Sequence, residues 1–257
     1  MWNMKSVNYL VFFIVEVYWI LSSNYVLTKE LPLVVRNLKC PINKDFDACV
    51  IENGNKAIPL VAKGDPEYGI PNMVPLKISF MNLIDTPNLH INLRNIEVHG
   101  LKKVKVIDYK SDFEKSLFFL SMKVDNITVV GNYEADGKIS IMPLKGKGTF
   151  SMYLKNGIYN VRMSTKIIEK NGDKYFKLTE CKIDYKFEKI VFHLDNLFEG
   201  NKELGDHVNN FLNENWEYIA ADFGPAIERD ISKIVSDIFI RITSVVPMKN
   251  IFLSFEG

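Results

Sequence analysis

The sequence carries almost no net charge, because 32 lysines and arginines stand against 31 aspartates and glutamates. Nor does it contain a run of five like charges that would form a basic arm. A chain that binds nucleic acid needs a positive field to attract phosphates. This balance therefore excludes nucleic acid from the expected partners.

Glycine and cysteine are also scarce. The 14 glycines follow no fixed repeat, which excludes a collagen-like or solenoid chain. Hydrophobic residues make up 47% of the chain, which is more than a disordered tail contains. The composition is that of an ordinary globular protein, and 257 residues allow one large domain or two small ones.

Catalytic and metal-binding motifs are missing, since there is no G-x-S-x-G, H-E-x-x-H, C-x-x-C or Walker sequence. Gly146-Lys147-Gly148 could cradle a phosphate, but no helix follows it, so strand curvature is the preferred interpretation. The four histidines could converge in space, but we interpret them as surface or hydrogen-bonded structural residues: His90, His99, His193 and His207. We predict no enzymatic activity, no metal site and no cofactor.

Long hydrophobic runs are limited to the first residues. Lys5 precedes an apolar run over residues 7–21, and the small residues Ser22 and Ser23 follow it. This order predicts a secretory signal peptide over residues 1–23, with cleavage near Ser23. A retained membrane anchor is the weaker alternative, because Glu16 would be costly inside a bilayer and the run is short.

No later segment approaches the roughly 18 consecutive apolar residues of a membrane helix. Residues 24–257 are therefore predicted to form a single soluble, secreted and monomeric domain without stable membrane insertion. If the chain is exported, Cys40 and Cys49 can close a small ring that contributes about 2.7 kcal/mol, leaving Cys181 as a buried, inert thiol. The sequon at Asn126 predicts glycosylation, although it lies in strand-like sequence.

Hydrophobic periodicity divides the rest of the chain. A helix interrupted by Gly54 and Pro59 is predicted between residues 40 and 63, followed by a loop over 64–71. Short alternating stretches from residue 76 to about 197 predict an antiparallel sheet. Its turns are predicted at 97–100, Asp136-Gly137, Asn156-Gly157 and Asn171-Gly172-Asp173, with bulges or bends at Gly146 and Gly148.

The C-terminal part has a helical period. Apolar residues recur every three or four positions from Leu204 to Ile242, which predicts one helix of about forty residues with a continuous apolar stripe. Pro225 predicts a kink or a break into two helices, and Pro247 ends the run. Residues 251–253 are predicted to form a short strand or a docking tail. The stripe is explained equally by a filled core and by one wall of a ligand cavity.

Four segments carry recognisable motifs in a fixed order. They are Gly69–Leu76 with the pattern G-I-P-x-x-x-P-L, Ile96–Leu101, Gly131–Gly148 with G-x-Y-x-x-x-G and two trailing glycines, and Asn196–Trp216. Together with the pair Cys40 and Cys49, they resemble the takeout and haemolymph juvenile hormone-binding protein family of insects. The resemblance covers nearly the whole chain after the predicted signal peptide. Because no fourth cysteine exists for a second disulfide, the chain is more similar to takeout members than to the hormone-binding members.

This resemblance implies an α+β fold in which one long helix is wrapped by a highly curved antiparallel sheet, leaving an apolar tunnel. Members of the family are secreted carriers of small hydrophobic molecules such as juvenile hormone or fatty-acid-like ligands. Some are linked to circadian control and feeding. We therefore expect a non-enzymatic carrier with a small terpenoid or fatty-acid-like ligand as its partner.

Large apolar side chains of the sheet and the helix are the candidates for the tunnel wall, although each could equally belong to a solid core. They are Phe80, Phe118, Tyr133, Met142, Phe150, Met152, Trp216, Phe223 and Phe239. Two other functions stay open. A membrane-docking lipid-transfer protein would need an exposed apolar tip or a basic rim such as Lys102, Lys103 and Lys105. An esterase would need a nucleophile with a partner, which the sequence does not show.

Overall fold

The computed structural model describes residues 29–254, where one seven-stranded antiparallel sheet is combined with four helices. The predicted signal peptide lies outside the described residues. The strands are β1 Leu76–Thr86, β2 Leu89–His99, β3 Lys105–Asp112, β4 Leu117–Ile139, β5 Met142–Lys170, β6 Asp173–Lys186 and β7 Lys189–Leu194. The helices are α1 Phe46–Val61, α2 Lys202–Glu214, α3 Trp216–Thr243 and α4 Met248–Ile251.

The sheet is built on the long hairpin of β4 and β5. β4 pairs with β3 near its beginning and with β2 near its end, while β5 pairs with β7 and then with β6. A flat strand of 29 residues, the length of β5, would extend over about 95 Å. The 28-residue α3 reaches only about 42 Å. The strands therefore curl strongly around the helix, and the predicted α+β architecture is confirmed.

The buried face of this hairpin changes sides in the middle. Phe118 and Val124 are buried at even positions of β4, whereas Ile127 and Tyr133 are buried at odd positions. No register shift separates β4 from β5 over this length. Asn156, at the change, has a φ of 48°. β4 changes its buried positions at the same level although none of its residues there has a positive φ, so the change is shared by the two paired strands.

Only one of the three predicted hairpin dipeptides reverses the chain. Asn171-Gly172 joins β5 to β6, which confirms that turn. Asn156-Gly157 lies inside β5 and Asp136-Gly137 lies inside β4, so those two predictions are wrong, and the β4–β5 turn is at residues 140–141. Asn156 and Gly137 both have positive φ. These residue types were correctly associated with unusual backbone geometry, but the geometry bends a strand instead of ending it.

Gly146 and Gly148 allow the segment after β7 to cross β5 closely. A Cβ at Gly148 would lie 2.4 Å from the carbonyl oxygen of Asp195. The pairing of β4 and β5 continues without a shift past both glycines, so the predicted bulges are wrong. The missing side chains serve the close approach of two backbones.

The predicted forty-residue helix is divided at Asn215, not at Pro225. Asn215 has non-helical dihedrals, and its side-chain amide donates a 2.8 Å hydrogen bond to the carbonyl of Phe211. The backbone amide of Asn215 donates to the same carbonyl at 3.0 Å, so the residue closes the last turn of α2 twice. Pro225 lies inside α3. The end of the chain docks as predicted, because the amide of Leu253 donates to the carbonyl of Cys40.

Asparagine side chains of two helices form hydrogen bonds with the backbone at the edges of the sheet. Asn209 of α2 accepts a hydrogen bond from the amide of Leu194 in β7 and donates one to the carbonyl of the same residue, both at 2.9 Å. Asn213 makes the same two bonds with Phe192, both at 2.8 Å. In α1, Asn55 makes the same paired contact with Val106 of β3. The helices are thereby fixed to the strands that have no neighbour on that side.

Three clusters of apolar side chains form the core. The first cluster joins β1, β2, β4, β5 and β7 to α2 and the first half of α3, and includes Tyr133, Phe150, Leu212, Ile219 and Phe223. The second joins α1 to the ends of β4 and β6, and includes Cys40, Phe46, Phe118, Phe176 and Met248. The third holds Tyr68, Ile70 and Val246 beside the end of α3. The helix α3 therefore connects packed regions at its two ends.

Candidate functional site

The apolar stripe of α3 is packed at its ends and open in its middle. Ile227 packs against the first cluster, and Ile242 against the third. Between them lie four aliphatic residues that belong to none of the three clusters and are only half-buried. We call them the middle stripe: Ile231, Ile234, Val235 and Ile238. Since both ends of the stripe point to the core, the middle stripe faces inward as well.

The wall opposite α3 is formed by β4, β5 and β6. Tyr185 of β6 donates a 3.1 Å hydrogen bond to the carbonyl of Gly224, and Ser236 lies beside Cys181 and partly lowers the pKa of its thiol. These contacts place α3 along β6 from residue 224 to 236. Half-buried apolar side chains occupy the same face of the neighbouring strands, at Leu120, Met122, Tyr159 and Met163. Apolar surface therefore lines both sides of this region.

Tyr159 has an unusual environment in this wall. Its ring meets Phe187 edge to face at 5.6 Å and lies 6.3 Å from the ring of Tyr185. Burial raises the pKa of its hydroxyl far above the usual value, and Tyr185 raises it further. The side chain nevertheless keeps part of its accessible surface. Its hydroxyl is thus withdrawn from bulk solvent without being sealed by neighbouring atoms.

The structure brings together some of the nine residues predicted for the tunnel wall. Four of them lie in or against the first cluster: Tyr133, Met142, Phe150 and Phe223. Phe118 and Phe239 lie at the second cluster. Met152 and Trp216 are half-buried apart from the clusters. Phe80 is 46% exposed beneath the guanidinium of Arg94, and this position does not support a role in an internal wall.

The middle stripe and its opposite wall were not selected from the sequence. Residues such as Ile231 and Leu120 are ordinary aliphatic side chains, and the choice favoured large aromatic residues, which fill cores as readily as they line cavities. The helical period did include all four residues of the middle stripe. What distinguishes them from Ile227 and Ile242, which are also half-buried, is that they pack against none of the three clusters. This difference becomes visible only when the sheet and the helix are placed together.

The predicted disulfide between Cys40 and Cys49 is confirmed. Cys181 is a half-buried free thiol whose pKa is raised by burial and lowered in part by Ser236. Asn126 is exposed on β4, opposite Lys155, so its glycosylation stays a prediction. Lys102 and Lys103 are exposed in a short turn after β2, and Lys105 begins β3.

The sheet carries a shallow open depression of about 370 Å³ over β4 and β5, beside Asp195. Ser151, which lines it, is opposite His193 in the register, and His193 lies 2.9 Å from the carboxylate of Asp195. The hydroxyl of Thr149 holds the pKa of Asp195 below its usual range, with a smaller contribution from His193. Within residues 29–254 no hydrogen bond joins Ser151 to His193.

Membrane-spanning helices and metal sites are the other two classes of feature to consider in residues 29–254. None of the helices in residues 29–254 combines the length and the apolar character needed to cross a bilayer. Over the same residues, histidine, cysteine and acidic side chains do not come together in groups of three that could hold a metal ion.

Comparison with known proteins gives consistent matches. The profile of the family described as haemolymph juvenile hormone binding protein matches residues 16–253. The chain is 23% identical to the circadian clock-controlled protein daywake of Drosophila yakuba over 225 residues, 83% of this chain and 86% of that protein. It is 26% identical to a putative beta-carotene-binding protein of Schistocerca gregaria over 139 residues, 53% and 56% of the two chains. Takeout 1 of Epiphyas postvittana has the same fold, with a TM-score of 0.77 at 27% identity, covering 84% of this chain and 99% of that one.

Proposed function

Because the chain belongs to the takeout and haemolymph juvenile hormone binding protein family, we propose that it is a secreted, non-enzymatic carrier. It holds one small hydrophobic ligand between the middle stripe of α3 and the wall of β4, β5 and β6. The observation that carries this proposal is the incomplete burial of inward-facing aliphatic residues between two packed clusters. Apolar surface left accessible inside a fold is favourable only when another molecule covers it.

The ligand is an elongated apolar molecule with little charge. The middle stripe consists of aliphatic residues, and the polar groups of the opposite wall are the tyrosine hydroxyls and a thiol. Burying about 300 Å² of apolar ligand surface would supply roughly 7 kcal/mol before the losses of binding entropy. The Tyr159 hydroxyl can hydrogen-bond one polar end. A terpenoid or a fatty-acid-like molecule fits these features, and one relative is named for a polyene ligand.

The extent of the tunnel follows from the packed clusters. Phe223 and Phe239, which were predicted as wall residues, stand on α3 on either side of the middle stripe and belong to different clusters. We propose that they close the two ends of the ligand space. Tyr133 and Phe150 pack in the first cluster and contribute to its solid end.

Secretion is supported by the signal-peptide pattern of residues 1–23 and by the disulfide, because disulfides persist in oxidising compartments. A link to circadian rhythm or feeding is proposed from the family resemblance and from the daywake relatives, which are described as controlled by the circadian clock.

The proposal is tested with protein purified from the medium of secreting cells. Native mass spectrometry should detect a co-purified apolar molecule, and delipidated protein should take up labelled terpenoid or fatty acid. Ile234→Glu, which puts a charge on the middle stripe, should weaken uptake at least about tenfold. Ile240→Glu is the matched control, because Ile240 lies on the exposed side of the same helix.

Two results would contradict the proposal. One is wild-type protein without any bound molecule and without uptake of either probe. The other is a folded Ile234→Glu variant, with an unchanged thermal midpoint, that takes up the probes as well as the wild type does.

A further inference from the structure

Exposed aliphatic side chains gather at the end of the molecule where α3 ends. Leu33 is 77% exposed and Leu253 is 65% exposed, and Val34 and Val245 are also exposed. We call these four residues the tip. Single exposed aliphatic residues are common on protein surfaces, but a group of them at one end marks a contact site.

Hydrogen bonds between the terminal segments bring the tip together. The amide of Lys29 donates to the carbonyl of Val245 at 3.3 Å, and the side chain of Asn250 donates to the carbonyl of Lys29 at 3.1 Å. The amide of Leu253 donates to the carbonyl of Cys40 at 3.1 Å. Residues 29–40 and 245–253 are therefore neighbours at this end.

Two arginines stand beside the tip without an acidic partner. Arg241 lies against Gly69, where an added Cβ would clash with its guanidinium. Arg36 lies near Tyr68, since its charge partly opposes the effect of burial, which raises the pKa of that tyrosine. Neither arginine takes part in an ion pair within residues 29–254, whereas Lys29 pairs with Glu67 at 3.5 Å.

Two further ion pairs at this end also involve lysines and leave out both arginines. Lys39 lies 3.2 Å from Glu30, and Lys249 lies 2.5 Å from Asp173. The three lysines of this end are thus neutralised locally by carboxylates. Asp65 adds one more negative charge near Tyr68, so Arg36 and Arg241 leave a surplus of one positive charge. Aliphatic residues beside unpaired arginines complement the interface of an anionic membrane, where acyl chains lie next to phosphate groups.

We propose that the tip, with Arg36 and Arg241, docks the protein peripherally on an anionic lipid bilayer. Ile242, the last residue of the α3 stripe, packs in the third cluster beneath this end. Docking would therefore bring the closed end of the ligand space to the membrane, where a hydrophobic ligand can be loaded or delivered. Only this transfer step rests on the proposed carrier function, since membrane binding itself is independent of any ligand.

Flotation with liposomes tests the docking. Delipidated protein is mixed with vesicles of phosphatidylcholine alone or with about 30% phosphatidylserine. The wild type should float with the anionic vesicles and much less with the neutral ones. The intact mass of every sample establishes its N-terminus, so that an uncleaved apolar leader is not mistaken for the docking element.

Paired variants locate the surface. Leu33→Asp with Val34→Asp should reduce the bound fraction roughly tenfold, and Arg36→Glu with Arg241→Glu should remove the preference for anionic vesicles. Ile141→Asp is the control for the aliphatic pair, because Ile141 is equally exposed at the β4–β5 turn. Lys102→Glu with Lys103→Glu is the control for charge, at the other basic rim. Both controls should bind as the wild type does.

The proposal is overturned if the wild type does not float with the anionic vesicles. It is also overturned if the lysine variant loses vesicle binding while the tip variants keep it. Self-association measured by light scattering, abolished by the tip substitutions, would assign the tip to a second copy of the chain instead. Ligand uptake without vesicles is measured in parallel. A failure of docking with normal uptake leaves the carrier function standing, and the reverse result leaves the docking standing.

Discussion

At the scale of single residues, the crossing of β5 by the segment after β7 depends on the absence of a side chain. Gly148 faces the carbonyl of Asp195, and Gly146 faces the backbone of Leu197. The first contact has no flexible side chain that could move aside, so any larger residue must displace a strand. The glycines of this region are thus fixed by packing, while Gly205 on α2 has ordinary space around it.

We predict that Gly148→Ala destabilises the protein by about 2–3 kcal/mol, because overpacking forces a backbone shift. Gly205→Ala should stabilise it by about 0.5–1 kcal/mol, because alanine favours the helix and the nearest neighbouring atom would be 3.7 Å away. Urea unfolding of both variants measures the two changes. Equal effects in the two variants would refute this explanation of Gly148.

The residue types alone predicted where the backbone has unusual dihedral angles, but not whether the chain reverses at those positions. Asn-Gly and Asp-Gly are the sequences of tight hairpin turns, and Asn171-Gly172 forms one. Asn156 and Gly137 adopt positive φ inside continuous strands. The difference is set by the partner strand, which continues past them in register. Such long-range pairing is not encoded in a dipeptide.

At the scale of secondary structure elements, the disulfide fixes the start of α1. Cys49 lies in the first turns of the helix and Cys40 in the preceding segment, packed against Phe46 and Met248 in the second cluster. Gly54 and Pro59 were expected to interrupt this helix, and it is continuous from Phe46 to Val61. Tertiary packing and the cross-link offset the low helix propensity of both residues.

Replacing Cys40 and Cys49 by serine should lower the free energy of unfolding by about 2.7 kcal/mol in the chain-entropy model. Reduction of the wild type with a thiol should lower the thermal midpoint in the same way. Cys181→Ser is the control, since Cys181 forms no cross-link. A destabilisation by Cys181→Ser as large as that of the double variant would count against the cross-link as the cause.

In the C-terminal part, the apolar period of the sequence predicts helical structure but not the residue at which the helices divide. An apolar period of three and four residues continues through Asn215 because both α2 and α3 face the same core. Pro225 was the expected break, yet the helix ends at Asn215, where the backbone dihedrals are non-helical, and Pro225 lies inside α3. The continuous stripe was predicted correctly, whereas its division and its open middle depend on the curvature of the sheet.

At the scale of the whole molecule, buried tyrosines couple stability to alkaline pH. Burial raises the pKa of six tyrosines within the described residues: Tyr68, Tyr109, Tyr133, Tyr159, Tyr175 and Tyr185. The pKa of Tyr133 is raised to about 12. An unfolded tyrosine titrates near pH 10. Above that pH the unfolded chain therefore binds fewer protons than the folded one, and folding loses stability as pH rises.

We predict that the urea midpoint is stable up to about pH 9.5 and falls steadily between about pH 10 and 12. The part of the tyrosinate absorbance that comes from the six tyrosines with raised pKa should rise together with unfolding and not before it. Tyr133→Phe should flatten the decline, whereas Tyr153→Phe, on the exposed outer face, should leave it unchanged. A wild type with the same midpoint at pH 9 and pH 11 would contradict the burial of these hydroxyls.

The overall architecture was predictable because several independent patterns agree. Alternation over residues 76–197, the helical period after Leu204 and the family motifs all indicate a sheet around a helix, and the structure confirms it. The residues predicted for the tunnel wall were a poorer guide to which inward-facing positions stay open. Tyr133 and Ile231 are both apolar and both point inward, and only the three-dimensional spacing of sheet and helix separates a filled position from an open one.

Asn55, Asn209 and Asn213 have a consequence for concentrated solutions. A strand from another molecule needs unoccupied amide and carbonyl groups in order to extend a sheet, and these side chains already occupy such groups on β3 and β7. Polymerisation into cross-β fibrils through these two strands would first require a helix to detach. At high concentration the folded protein should therefore not join its neighbours through these two strands.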